Sequence, residues 1–286
     1  MHSMENKGIS FNRKRDPGTI VRISFRFLTD EFKPLSRLIL IYFVPLLLIY
    51  AIGSVLFQMK FTAPLDFSDN EKLIKEMTPY YLNFLLFTLF GIFIQSLYAG
   101  AFYTYVEEYI LKGKGNFTIN DLSHRLFPNT LLALGTGIAG FILVMFGLML
   151  CIVPGIYYAN SISLALFIVI KEKKGIGQAI FRSFQLVRIK WWDTFFLNLT
   201  ALLLILLIST LFSLPSIITG YSSGLFVPQK NGPVDLPDWY LILLGVNTVI
   251  TNLFYVIIYT FYVFHYYNLM EYLKPPEILP EKSSGE

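Results

Sequence analysis

Long apolar segments, separated by short polar connections, follow one another along this chain. Six of them approach the roughly 20 residues that a helix needs to cross about 30 Å of hydrocarbon. They are Leu38–Phe57, Tyr80–Leu111, Thr130–Ile152, Ile156–Ile170, Trp192–Leu214 and Trp239–Leu273. Because open sheets leave backbone groups unpaired in lipid, the pattern predicts an all-α integral membrane helical bundle with about six transmembrane helices.

Prolines lie within the first segment and just before the fourth, and both should distort the chain. Pro45 predicts a kink in the first segment. Pro154 and Gly155 predict a tight turn before the fourth segment, which is short. The stretch Val153–Ile170 therefore either spans the bilayer or re-enters it, and both alternatives return the chain to the same side.

Three connecting segments have amphipathic periodicity. They are Ile20–Leu35, Thr118–Phe127 and Ile176–Trp191. The apolar stripe of the first is Val21, Phe25, Leu28, Phe32 and Leu35, and that of the third is Ile176, Ile180, Phe184, Val187 and Trp191. We expect short interfacial helices in the headgroup layer; the alternative is a solvated linker.

Composition and charge support a membrane protein and orient it. Hydrophobic residues make up 55% of the chain and charged residues 15%, against about 25% charged in soluble domains. Residues 1–37, 112–129, 171–191 and the tail from 274 hold eight, three, six and two Lys or Arg, whereas the alternate connections hold three, none and one. The positive-inside rule therefore predicts that both termini are cytoplasmic.

These boundaries divide the chain into three parts. Residues 1–37 are a basic cytoplasmic segment with an amphipathic helix, and residues 38–273 are the six-helix transmembrane domain. Residues 274–286 are expected to form a disordered cytoplasmic tail, because they are polar and begin with prolines.

The glycines Gly135, Gly137 and Gly140 match the fingerprint of dinucleotide-binding proteins letter for letter. That fingerprint requires a preceding strand and an acidic residue about 20 positions later. Here it lies inside an apolar segment, and no acid follows until Glu172. We therefore interpret the glycines as a surface on which another helix packs closely.

The residues that usually carry chemistry are scattered. His2, His124 and His265 are far apart, and Cys151 is the single cysteine, so we expect no metal, no cofactor and no catalytic residue. His265 is expected to hydrogen-bond a neighbouring helix. The middles of the six segments lack Asp, Glu, Lys and Arg, which argues against a proton-coupled pump.

One polar face and one basic surface are the candidate functional features. Asn247, Thr251, Asn252, Tyr255 and Tyr259 recur at helical spacing on the last segment; we expect interhelical hydrogen bonds, with a hydrated substrate path as the alternative. Candidate partners on other segments are Gln95, Ser96, Asn160, Ser163 and Asn198. The basic surface, a candidate contact for anionic lipid, consists of Arg182, Arg188, Lys190, Trp191 and Trp192.

Residues 97 to 274 resemble a family of bacterial polytopic membrane proteins related to the membrane domain of glycerophosphoryl diester phosphodiesterases. The residues that carry this resemblance are Pro154-Gly155-Ile156-Tyr157, Ser161 to Ala165, Glu172, Gly175, Ala179, Arg182-Ser183-Phe184, Leu186-Val187, Trp191-Trp192 and Tyr266-Tyr267-Asn268-Leu269. The resemblance implies a helical bundle in the bacterial inner membrane. It implies no phosphodiesterase activity, because that chemistry belongs to a separate soluble barrel.

The sequence therefore favours a protein that is not an enzyme and that organises or regulates a membrane complex. Its expected partners are the lipid bilayer, including anionic lipids, and other membrane proteins, but no nucleic acid. The alternative is a carrier or channel for a small or lipid-like molecule, which the polar face on the last segment would serve. An intramembrane enzyme, the third class, would need clustered catalytic groups that the sequence does not display.

Overall fold

The computed structural model describes residues 9–60, 70–222 and 237–274. Within these ranges the chain forms eleven α-helices. They are α1 (Pro17–Asp30), α2 (Phe32–Tyr42), α3 (Val44–Lys60), α4 (Asn70–Lys112), α5 (Ile119–Leu150), α6 (Ile152–Ser161), α7 (Ala165–Lys171), α8 (Ile176–Val187), α9 (Trp191–Ser222), α10 (Asp238–Leu253) and α11 (Tyr255–Leu273). A 3-10 turn, Arg188–Lys190, joins α8 to α9. Apart from Lys274, the tail predicted to be disordered lies outside the described residues.

Apolar helices long enough to cross a bilayer make up most of this fold. Five candidate spans are Met77–Lys112, Asp121–Leu150, Ile152–Lys171, Ile176–Ile218 and Asp238–Leu273, and α2 with α3 forms a sixth across a bend of 55°. Their outward surface is apolar: Leu202, Leu206 and Leu207 of α9 are all more than half exposed, a surface suited to lipid. The chain is a multi-pass membrane protein, and the predicted all-α bundle is confirmed.

The first span bends where the sequence predicts a kink. The helices α2 and α3 meet at 55° around Phe43. Pro45 lies in the first turn of α3, where its missing N–H leaves no helical hydrogen bond unmade. In an unbroken helix Pro45 would lose the hydrogen bond to Ile41 and clash with that carbonyl. The break therefore falls two residues before the proline.

The third and fourth spans form a helical hairpin that turns at Cys151. This residue is extended, with φ of −175°, and it separates α5 from α6. The prediction that Pro154 and Gly155 make the turn is wrong, since both lie in the first turn of α6, where proline is well tolerated. Gly155 instead allows close approach to α5: a Cβ there would lie 3.1 Å from the Cα of Leu148.

The fourth span is broken in its middle. The helix α6 ends at Ser161 and α7 begins at Ala165, and together they make one candidate span of 20 residues. Backbone that leaves the helix inside a membrane needs partners from the protein or from water. The hydroxyl of Ser183 on α8 supplies one by donating to the carbonyl of Ser161 at 2.7 Å.

The last span is also interrupted, which the sequence analysis did not predict. The helices α10 and α11 are separated at Phe254, although the two together pass as one candidate span. At the break the hydroxyl of Tyr98 on α4 donates to the carbonyl of Leu253 at 2.8 Å. A neighbouring side chain thus satisfies backbone that a helical break leaves open.

The amphipathic segments are packed into the bundle more deeply than the predicted stripes suggest. The helix α1 buries Ile20, Ser24 and Phe27, whereas Phe25 of the predicted stripe is 40% exposed. The ring of Phe27 packs edge-on against Tyr109, with ring centroids 5.2 Å apart. The buried face of α1 is therefore shifted by about one residue from the predicted stripe. The segment Thr118–Phe127 is not a separate helix but the first part of α5. Asp121 accepts hydrogen bonds from the Thr118 backbone N–H and hydroxyl there.

The buried face of α8 matches the predicted stripe only at Val187. Ala179, Ser183, Leu186 and Val187 are buried, whereas Ile176, Ile180 and Phe184 are only half-buried. Small side chains at Ala179 and Ser183 let α8 lie close to its neighbours. The helix is therefore part of the packed bundle along one face.

Glycines mark the closest helix contacts. A Cβ on Gly100 of α4 would lie 2.9 Å from the Cα of Thr130 on α5. One on Gly137 would lie 2.8 Å from the Ser96 hydroxyl, and one on Gly140 would lie 3.0 Å from the end of Ile162. The predicted packing of Gly137 and Gly140 against other helices is confirmed.

Four parts of the chain that are distant in sequence meet at one end of the bundle. They are the segment from Phe11 through α1, the α4–α5 connection, the α7–α8 connection and the C-terminal half of α11. The contacts that join them include Arg15 N–H to Asn268 Oδ1 at 2.7 Å, Lys114 Nζ to Glu31 Oε1 at 2.9 Å, and Tyr266 OH to Glu172 Oε1 at 2.9 Å. We call this the basic end, because it carries the Lys- and Arg-rich segments.

Candidate functional site

The polar face of the last span is anchored on Gln95 of α4. The Gln95 amide donates to Asn252 Oδ1 on α10, and the Tyr259 hydroxyl on α11 donates to the Gln95 side-chain and backbone carbonyls. One glutamine therefore ties both halves of the broken span to α4. We call Gln95, Asn252 and Tyr259 the glutamine network. Its hydrogen bonds are interhelical, as the sequence analysis expected.

The other members of the polar face bond mainly within their own helix. The Thr251 hydroxyl is 3.4 Å from Asn247 Oδ1, and the Thr248 hydroxyl is 3.4 Å from that of Ser54 on α3. Asn247, Thr251 and Tyr255 are half-buried. The face is thus not one continuous surface, since Asn252 and Tyr259 engage α4 while Asn247 and Thr251 engage each other.

Aromatic rings surround the buried part of this face. Tyr259 packs against Tyr98, Phe102 and Tyr103 of α4 with ring centroids 5.4, 6.2 and 5.6 Å apart. Tyr103 in turn meets Phe167 of α7 at 5.1 Å. Edge-to-face aromatic contacts of this kind add to the stability that burial provides. The interior next to the glutamine network is therefore closely packed.

A second polar cluster surrounds the break between α6 and α7. Asn198 of α9 donates to Asn160 Oδ1 at 2.7 Å, and Asn160 donates to the Trp191 carbonyl at 3.3 Å. His265 of α11 lies 2.7 Å from the Thr194 hydroxyl, which also donates to the Lys190 carbonyl. Of the partners that the sequence suggested, Asn160 and Asn198 therefore meet each other.

The contact between His265 Nε2 and the Thr194 hydroxyl is a hydrogen bond between α11 and α9, and its donor depends on the tautomer of the imidazole. The expected hydrogen bond of His265 to a neighbouring helix is confirmed. Thr194, two residues after Trp192, was not among the partners suggested by the sequence.

Ion pairs between buried carboxylates and half-exposed cations hold the basic end together. Glu31, at the turn between α1 and α2, is 2% exposed and accepts from the Tyr105 hydroxyl at 2.7 Å. Lys114 pairs with it at 2.9 Å, and this hydrogen bond raises the pKa of Lys114 above its usual value. Glu108 of α4 pairs with Arg125 of α5 at 2.7 Å.

A second charged group lies where α7 ends. Glu172 faces Lys174 at 2.6 Å and Arg182 at 3.4 Å, and it accepts from the Tyr266 hydroxyl at 2.9 Å. Burial alone would raise the pKa of Glu172, but the hydrogen bonds and the two cations outweigh it, so the pKa is lowered. We call Glu172, Lys174, Arg182 and Tyr266 the Glu172 cluster.

The structure divides the five residues of the predicted basic surface. Arg182 turns inward to the Glu172 cluster, and Trp191 stacks on Phe195 at 5.5 Å. Lys190 lies 3.9 Å from Asp193. Arg188 and Trp192 are exposed. The surface open to a ligand is therefore smaller than the sequence suggested.

The described residues contain no group of three or more His, Cys, Asp or Glu placed to hold a metal ion. Cys151 is exposed at the α5–α6 turn. The His265 side chain is fully buried, at the level of the basic end. No family model, no curated protein and no solved structure matches this chain.

Proposed function

We propose that this protein is not an enzyme and that it acts by organising or regulating a complex in the membrane. The observation that carries the proposal is the glutamine network. Asn252 Oδ1 and the Tyr259 hydroxyl are both hydrogen-bonded to Gln95, and the Asn252 amide donates to the Thr248 carbonyl, next to an interior packed with aromatic rings. Polar groups used in this way stabilise a bundle, whereas a transport path needs polar groups that face water.

The basic end supports the same proposal. Four chain segments converge there, and buried carboxylates pair with half-exposed cations, Glu31 with Lys114 and Glu108 with Arg125. Such contacts fix the relative positions of helices. A rigid surface that displays Arg188 and Trp192 is suited to a partner protein at the membrane interface.

A carrier remains the second candidate, and the broken fourth span favours it. Broken helices inside transporters often line a binding site. Near the α6–α7 break, the buried Ser163 hydroxyl and Asn198 Oδ1 lack a hydrogen-bond partner among the described residues. A small polar molecule would satisfy them, and so would ordered water.

The wider setting forms part of the proposal. We infer that the protein resides in a bacterial inner membrane with the basic end in the cytoplasm, that anionic lipid contacts this end, and that nucleic acid is not a partner. The charge bias of the connections supports this orientation. The resemblance to the membrane domain of glycerophosphoryl diester phosphodiesterases supports the bacterial setting.

Photo-crosslinking in the native membrane tests the proposal. A photoreactive amino acid is placed at Arg188 or Trp192, and at Leu207 as a lipid-facing control. We expect a discrete protein adduct from the two positions at the basic end and none from Leu207. Adducts with lipid alone at all three positions would contradict a scaffold role. The carrier alternative predicts that Ser163→Ala or Asn198→Leu abolishes a cellular uptake or export phenotype without loss of the folded protein.

A further inference from the structure

A long apolar groove runs along the outside of the bundle between α2 and the last spans. Its volume is about 640 Å³. One wall is formed by α1 and α2, including Phe25, Phe32 and Leu40, and the other by Phe212 and Phe254. Phe32 and Leu40 are 68% and 61% exposed. The groove is therefore a concave apolar surface that is open to the hydrocarbon region.

The two ends of the groove differ in polarity. At the α1–α2 turn it is bounded by the hydroxyls of Thr29 and Ser36, which are tied to backbone carbonyls. The other end reaches Val44 at the start of α3 and Phe212, deep in α9. Between Phe32 and Val44 the chain rises at most about 18 Å. The groove thus has one polar mouth and one apolar end.

Three basic residues, Arg22, Lys33 and Arg37, lie on the two helices that form the polar mouth. Arg22 shares a face of α1 with Phe25 and Thr29, because they are three and seven residues apart. On α2, Lys33 lies three residues before Ser36 and Arg37 follows Ser36 directly, so that Arg37 is one turn beyond Lys33. All three side chains are exposed, and none forms an ion pair with another residue that the structure describes. Arg26, in contrast, is paired with Asp30.

Unpaired cations at one end of an apolar groove match an amphiphile with an anionic head and a hydrocarbon tail. We propose that this groove binds one anionic phospholipid, with an acyl chain along α2 and the phosphate at Arg22, Lys33 and Arg37. Cations beside the headgroup layer attract anionic lipid. Lysine and arginine side chains are long enough to reach a phosphate while their stems lie on apolar surface.

An apolar transmembrane helix of a partner matches the groove less well, because it offers no anionic group to the three cations. A neighbouring groove between α3 and α10, of about 440 Å³, is lined by apolar residues from Leu48 to Ile250. It lies away from the basic connections, and the proposal does not extend to it.

The site is distinct from the basic surface around Arg188, and it does not depend on the proposed scaffold role. It can be tested on the purified full chain, with no partner protein present. A failure of the lipid experiment would leave the crosslinking result unaffected, and the reverse also holds.

Native mass spectrometry and thermal shift in detergent provide the test. Phosphatidylglycerol is compared with phosphatidylcholine carrying the same acyl chains. We expect one retained phosphatidylglycerol per chain and a rise in melting temperature with this lipid only, because a ligand that binds the folded state stabilises it. The triple variant Arg22→Gln, Lys33→Gln, Arg37→Gln should weaken retention at least about tenfold.

Two further variants distinguish the contribution of charge to lipid retention from that of the apolar groove. The triple variant Arg13→Gln, Lys14→Gln, Lys173→Gln removes the same number of exposed charges elsewhere and should bind like the unaltered chain. Leu40→Trp fills the groove at an exposed position without changing charge, and it should reduce retention. Equal binding of the two lipids, full binding by the groove triple variant, or a polypeptide held in the groove in place of lipid would overturn the proposal.

Discussion

Gln95 makes more interhelical connections than any other residue of the glutamine network, since it reaches both α10 and α11. When a side chain that hydrogen-bonds to two neighbouring helices is removed, a polar group on each helix loses its hydrogen-bond partner. An unsatisfied buried polar group costs about 1–3 kcal/mol, and the Tyr259 hydroxyl, which belongs to a buried side chain, would lose its acceptor on the Gln95 side chain.

Gln95→Leu is therefore expected to lower the melting temperature in detergent, by a loss of about 1–3 kcal/mol in stability. The control is Asn83→Leu on the same helix, because among the described residues Asn83 bonds to the Pro79 carbonyl within α4 and not to another helix. Adding Asn252→Leu to Gln95→Leu should cost less than the two single losses together, since the double variant removes both partners. Strict additivity would show that the two amides do not interact.

Glu172 makes the stability of the folded protein depend on pH. Its pKa is lowered in the folded protein from the ordinary value of 4.5, so the Glu172 cluster contributes stability above that value and loses it as the pH falls through the folded pKa. We expect Glu172→Gln to lower the melting temperature at pH 7 and to differ less from the unaltered protein near pH 3. A difference that stays constant between pH 7 and pH 3 would mean that the carboxylate charge is not involved.

At the scale of helices, the closest contacts depend on glycine. The contacts differ in how well they tolerate a larger side chain at the glycine position. Gly100 meets backbone of α5, Gly140 meets the flexible end of Ile162, and Gly177 has nothing within 4 Å. Backbone cannot move aside without moving its helix, whereas a side-chain end can rotate.

Leucine at these three positions should consequently give a graded series. Gly100→Leu is expected to cause the largest fall in melting temperature, Gly140→Leu a smaller one, and Gly177→Leu none, because overpacking a helix contact costs about 1–3 kcal/mol or more. The measurement is thermal unfolding in one detergent for all three variants. Equal effects at Gly100 and Gly177 would contradict the close approach of α4 and α5.

The sequence predicts helices well here because each span must be apolar over a fixed length. The six segments and the kink near Pro45 follow from hydrophobicity and from the chemistry of proline. The breaks at Phe254 and between Ser161 and Ala165 do not, because they depend on partners from other helices, such as the Tyr98 hydroxyl. The sequence of a segment does not show which side chains of other helices will contact it.

The candidate site was predictable in part for the same reason. The pattern identifies which residues share a face, and it suggested Gln95 among five partners, but three-dimensional packing decides that Asn252 and Tyr259 meet Gln95 while Asn198 meets Asn160. The sequence predicts that Arg182 lies on the surface, whereas in the structure it donates to Glu172. Helical periodicity does not predict which charged residues of separate segments will pair.

For the whole molecule, Cys151 offers a direct measurement of orientation. It is the single cysteine, it is exposed, and it lies at the turn opposite the basic end. If the basic end is cytoplasmic, a membrane-impermeant maleimide should label Cys151 in intact cells stripped of any outer barrier. The variant Cys151→Ser, Arg188→Cys should be labelled only after the membrane is opened. The reverse pattern would invert the proposed topology.

The contact between the start and the end of the described chain has a consequence for biosynthesis. Arg15 and Asn268 are 253 positions apart, and Phe11 stacks on Phe264 with ring centroids 5.0 Å apart. At about 5–20 residues per second, the ribosome needs roughly 10 to 50 s to supply the partner. During that interval Ile20 and Phe27 have no α11 to pack against. The helix α1 is thus made long before it can reach its native contacts with α11, and the emerging chain depends on the membrane surface or on the insertion machinery to hold it until α11 arrives.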